Sequence, residues 1–145
     1  MPWHGGIVIS LLAADADFMT ACGGRLSGAA PPDVTQPYVT VQTVSNGPID
    51  DAGRVQLPIV QVSAWCWPTQ DDQQDPRLTA SNLVAAAHRV LLLGEPIRNR
   101  PYENVFFNVE RLAEGPLDRT DISRGPSEPL YGAMIRVELK VKLTS

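Results

Sequence analysis

Met134-Ile135-Arg136-Val137-Glu138-Leu139-Lys140-Val141-Lys142-Leu143 alternates for ten residues without a break. Ile135, Val137, Leu139, Val141 and Leu143 fall on one side, and Met134, Arg136, Glu138, Lys140 and Lys142 on the other. Only an extended chain with successive side chains on opposite faces gives period two, so this run predicts a strand with one face in a core and one face wet or polar-paired. Just upstream, Val105-Phe106-Phe107-Asn108-Val109 reads as a shorter strand. Between the two, Glu114 to Pro129 is studded with Gly and Pro and predicts a loop.

Working further back, Asp75-Pro76 signals a helix start, since Asp can accept free amide hydrogens and Pro suits the first helical position. Leu83, Val84, Ala87, Val90 and Leu91 then form an apolar stripe, and Gly94 and Pro96 stop the helix. Tyr38 to Val44 and Leu57 to Trp67 are rich in β-branched and aromatic residues and predict two strands paired as an antiparallel hairpin with a long tip. Ile7 to about Cys22 has helical spacing, with Asp15 or Asp17 able to cap a fresh turn, and Gly23-Gly24 ends it. Leu26 to Gln36, with Pro31-Pro32, reads as a loop. The order helix, strand, strand, helix, strand, strand predicts an α+β fold: a mostly antiparallel sheet of about four strands with two helices packed on one face. Residues 1–145 read as a single domain, whose short strands leave edges that invite a partner.

Composition narrows function. Twelve Lys and Arg against sixteen Asp and Glu give a charge of −4, with no basic cluster of the kind that holds nucleic acid by charge alone. Cys22 and Cys66 are too few for a disulfide framework or a zinc site, and a reducing compartment fits them best. Ile7 to Ala14 lacks the basic flank of a secretory signal and is too short to span a bilayer, so a core helix is expected there. Of the two histidines, His4 and His88, the second lies on a helix beside Arg89, with Ser81 two turns away and out of reach. Asp50-Asp51 and Asp71-Asp72 sit among turn formers and read as solvated loop charge. Gly23-Gly24 lacks the Lys and Ser/Thr of a phosphate loop. These residues give no catalytic group, cofactor site or metal site. The candidate contact residues are Trp65 and Trp67 at a strand end, Arg98 and Arg100 on a Pro-bounded loop, and the polar row Arg136, Glu138, Lys140 and Lys142.

Leu11-Leu12 and the Ala14-Asp15-Ala16-Asp17-Phe18 break come first in a longer pattern. Gly24-Arg25-Leu26, Pro37-Tyr38-Val39-Thr40-Val41 and Val60-Gln61-Val62-Ser63-Ala64-Trp65 follow in order. Taken together with the second helix and the charged alternating strand, this layout resembles the tail terminator (tail-completion) proteins of long-tailed bacteriophages, minor tail protein U of lambda-like phages among them. The long link between Val44 and Leu57 and the Trp65-Cys66-Trp67 ending depart from it. The resemblance implies a non-enzymatic virion protein at the head–tail junction, assembled in the host cytoplasm. It implies six copies in a ring that caps the tail tube, stops further tube subunits from adding, and meets the head connector. Double-stranded DNA would pass through the lumen without sequence-specific binding. The partners implied are further copies of the chain, the major tail tube protein and the head–tail connector or head-closure protein, with no membrane and no cofactor. On this reading the polar side of Met134 to Lys142 faces the lumen or a neighbouring subunit, and the loops Ser45 to Gln56 and Glu114 to Pro129 reach toward tube or connector. Two other readings stand beside it: a head-closure or connector protein of the same virion, and a small cytosolic enzyme or ligand-binding domain with a pocket under the Trp65/Trp67 edge.

Overall fold

A computed structural model describes residues 3–29, 36–47, 54–66, 75–121 and 130–143. The chain runs α1 (His4–Ala13), α2 (Ala16–Cys22), β1 (Leu26–Ser27), β2 (Tyr38–Ser45), β3 (Val55–Gln56), β4 (Ile59–Cys66) and α3 (Pro76–His88). A π-helical turn (Arg89–Leu93) extends α3, and β5 (Arg100–Tyr102), β6 (Val105–Asp121) and β7 (Leu130–Leu143) follow. The seven strands among the described residues join one curled sheet in the order β1-β2-β4-β7-β6-β5, with β3 on β7 as well. Every pairing is antiparallel except β1 with β2.

The alternating run forms the middle of that sheet. β7 pairs with β6 along its whole length on one edge. On the other edge it pairs first with β4 and then with β3, and the Leu139 amide bonds the Pro58 carbonyl at 2.9 Å between them. Ile135, Val137, Leu139 and Val141 are buried together with Val60, Val62 and Ala64 of β4 and Val39 and Val41 of β2. Ile7, Val8 and Leu12 of α1, Phe18 and Cys22 of α2, and Ala80, Leu83, Val84 and Ala87 of α3 close the same core from outside the sheet. Helical spacing on the helices and period two on the strands thus meet at one apolar layer.

The α+β class stands, but the expected four strands and two helices do not: the described residues form seven strands and three helices. The leading helix breaks at Asp15, whose Oδ1 accepts the Phe18 amide at 2.8 Å, and the two pieces bend by 97°. That amide holds the Asp15 carboxyl below the usual carboxylate range against a smaller opposing effect of burial, and Arg89, 3.2 Å away, adds to it. β1, β3 and β5 span two or three residues each, too few for alternation to show. Most of the correction lies in the expected loop from Glu114, which is strand as far as Asp121. Gly115-Pro116 does not end β6, because the pairing with β7 absorbs it through register shifts between Val109 and Leu117. Among the described residues β5 covers only Val105–Phe107 on the outer edge of β6, so Pro116 breaks no ladder bond there. Pro31-Pro32, the link 48–53, both Asp pairs, Trp67 and residues 122–129 lie outside the described residues.

Trp65 shows how closely β4 and β7 meet. Its partner in register is Gly132, and a Cβ there would stand 2.7 Å from the Trp65 ring and 3.1 Å from the Ala64 carbonyl oxygen. The indole lies where a side chain of β7 would otherwise be. Gly132→Ala is expected to destabilise the fold by about 1–3 kcal/mol, as overpacking does, and to alter tryptophan emission. Urea denaturation followed by fluorescence measures both.

Candidate subunit-contact surface

Opposite the helices, the polar side of β7 builds ladders with its neighbours. Arg136 lies between Gln61 of β4 and Glu114 of β6, donating from Nε to Gln61 Oε1 at 3.1 Å and from Nη1 to Glu114 Oε2 at 3.0 Å. Gln61 in turn donates to Ser63 Oγ at 2.9 Å, so buried Gln61 and Ser63 are drawn into a chain that ends at an exposed carboxylate. Glu138 takes a two-pronged contact from Arg111, at 3.3 and 3.1 Å. Lys140 stands beside Asn108 and Lys142 beside the exposed Phe106, and neither makes an ion pair with a described residue. The row expected from the sequence is therefore on one face but has two kinds of member. Arg136 and Glu138 are bound into the sheet, while Lys140 and Lys142 leave their charge available.

The other candidates are dispersed. Trp65 donates from its indole nitrogen to Thr40 Oγ1 at 3.3 Å and is half-buried over Gly132. Arg98 is exposed in the turn before β5, and Arg100 opens β5 at the sheet's outer edge. His88 is half-buried at the end of α3. No three His, Cys, Asp or Glu among the described residues are placed to share a metal ion. No single helix among them is long and apolar enough to cross a membrane.

A cavity of about 500 Å³ opens not at Trp65 but at the N-terminal end of α1, where Trp3, His4, Thr43, Asn46 and Gln56 contribute walls. Sequence reading passed over His4, although the Gly5-Gly6 that follows it marks a close approach. The Gly5 amide bonds Thr43 Oγ1 on β2 at 3.2 Å, and a Cβ on Gly6 would stand 2.5 Å from the Tyr102 hydroxyl of β5. Helix α1 thus bridges strands from opposite sides of the curled sheet, and His4 is carried inside with it. Its Nδ1 lies 3.2 Å from Asn46 Oδ1. Burial pushes the imidazole below its ordinary value of 6.5, with the Asn46 and Gln56 side chains opposing part of that effect. Because the folded-state value is the lower one, the unfolded chain binds more protons between the two. Stability from this residue is present in full above pH 6.5 and is lost as pH falls through the folded-state value. His4→Gln is expected to flatten this acid-side loss, which thermal melts of both proteins from pH 7.5 to pH 5 would measure.

In a search of solved structures, the fold is similar to a chain of the "Virion of native gene transfer agent (GTA) particle", with a TM-score of 0.54, 16% identity and 95% of each chain covered. No curated protein sequence matches the chain. The family model described as "Tail completion protein gp17" matches residues 7–142, which takes in all three helices apart from the first turn of α1 and nearly all of the sheet. With that match over almost its whole length, the chain belongs to the tail completion protein gp17 family, and its place is in the tail of a virion.

Proposed function

We propose that this chain is a non-enzymatic ring subunit that caps the finished tail tube, blocks further tube subunits and offers its other surface to the head connector. The family match over residues 7–142 carries this reading. The fold supports it in two ways. A sheet that ends in strands of two and three residues, β1 and β5, has edges that a neighbouring copy can cover. A head-to-tail contact between such copies closes into a ring when its rotation closes.

Within the ring, the side of β7 that bears Lys140 and Lys142 faces the lumen or a neighbour, with Arg98, Arg100 and Trp65 as further contact residues. A lumen lined by a few cations and several paired charges suits the passage of double-stranded DNA, since a strongly basic wall would hold phosphates and slow them. Of the segments expected to reach toward tube or connector, Val55–Gln56 and Glu114–Asp121 are strands that belong to the sheet. The rest of those two segments, 48–53 and 122–129, lies outside the described residues.

Removing the gene from a producing strain separates this role from that of a connector. Overlong tails are expected without the protein, and supplying it in trans should restore a uniform length. Tails of normal length left unattached to heads would contradict the terminator role and favour a connector.

A further inference from the structure

Strand β6 is long, and among the described residues most of its outer edge is unpaired. β5 covers it only over Val105–Phe107, and the Val109 amide adds one bond to the Ile97 carbonyl at 3.0 Å. From Glu110 to Asp118 the inner edge pairs with β7, no described strand lies along the outer edge, and Glu114, Pro116, Leu117 and Asp118 are exposed. An open edge of this length is a template for another strand.

The register fixes which backbone groups point outward. Leu139 sends its amide to Pro58 on the β4 side, so odd-numbered residues of β7 bond away from β6 and even-numbered ones bond toward it. Residues of β6 opposite the odd positions therefore hold their amide and carbonyl outward, as Leu112 does opposite Val137 and Asp118 does opposite Ala133. At the far side of the sheet the Val39 amide bonds the Arg25 carbonyl at 2.9 Å, which turns Leu26, its partner in β1, the other way. The Leu26 carbonyl faces outward, while its amide closes a tight turn to the Gly24 carbonyl at 3.2 Å.

The two edges match in level and in sense. Leu26, Val39, Ala64, Ala133 and Asp118 stand opposite one another in succession across β1, β2, β4, β7 and β6. β1 runs parallel to β2 and so to β7, whereas β6 runs against β7. A neighbour that keeps its helices on the same side of the sheet and turns its β1 edge toward β6 therefore meets it antiparallel, with Leu26 across from Asp118. Each copy then gives one edge and receives on the other, which is the pattern of a head-to-tail contact.

We propose that β6 of one copy pairs antiparallel with β1 of the next, the Asp118 amide donating to the Leu26 carbonyl and Leu117 lying beside Ser27, so that the sheets of successive copies run on as one. This rests on the self-assembly put forward above and names the seam that carries it.

A proline at 118 tests the seam in particles made by a producing strain. The Asp118 amide takes no part in the ladder with β7, so Asp118→Pro is expected to keep the melting temperature of the isolated chain. It removes the donor and is expected to lower the number of copies built into particles by about tenfold or more, whereas Asp118→Ala, which keeps the amide, should be incorporated like the wild type. Wild-type incorporation of Asp118→Pro would overturn the proposal. A second test leaves the backbone intact. Ser27 and Leu117 share the face away from the helices at the level of Met134, and their pairing across the seam is of the closely spaced kind. Ser27→Cys and Leu117→Cys in one chain should give, on oxidation of particles, a ladder of linked copies that neither single variant gives. The native Cys22 and Cys66 are buried. Rings of normal mass without a ladder would refute this seam alone, whereas wild-type particles that hold no ring would refute the self-assembly beneath it.

Discussion

Strand β7 buries Ile135, Val137, Leu139 and Val141 on one side and carries Arg136, Glu138, Lys140 and Lys142 on the other, and the remaining elements are arranged around that division. Each buried aliphatic side chain contributes about 1.5–3 kcal/mol, whereas an exposed cross-strand ion pair contributes about 0–1 kcal/mol. The apolar side therefore supplies the stability, and three helices are needed to cover it. The polar side supplies register. A slip of one residue would carry Arg136 into the core and strip the buried Gln61 carboxamide of its donor.

The sequence made this central strand legible because both of its faces are decided by chemistry that repeats every second residue. The β2–β4 pairing was legible for the same reason, and α3 was legible from its Asp75-Pro76 start and Gly94 stop. β1, β3 and β5 were not, since strands that short owe their existence to the neighbour they bond rather than to their own pattern. The second half of β6 was hidden by Gly115-Pro116, which reads locally as a turn and which the strand carries as an irregularity between Glu114 and Leu117, both paired with β7. The polar row of the candidate surface could be read as a row. Its division into Arg136 and Glu138, bound to neighbouring strands, and Lys140 and Lys142, with no ion pair among the described residues, could not, because it depends on which residues of β6 and β4 stand opposite. His4 was missed because its importance comes from burial beside Gln56, fifty-two positions along the chain.

Stability and assembly draw on different parts of the molecule. The core layer and the Arg136 chain are complete within one copy. The short edge strands, and Lys140 and Lys142 with no ion pair among the described residues, are features that a second molecule could complete. For the ring role proposed above, this separation lets the fold form before its neighbours arrive.

The dependence of the fold on β7 is tested most directly by native-state hydrogen exchange, residue by residue, on the isolated protein. Amides of residues 135–139 are predicted to be the slowest in the chain and to exchange only with global unfolding, their free energies matching that from denaturant. Exchange of these amides through a smaller opening, faster than the amides of β2 or α3, would contradict the account.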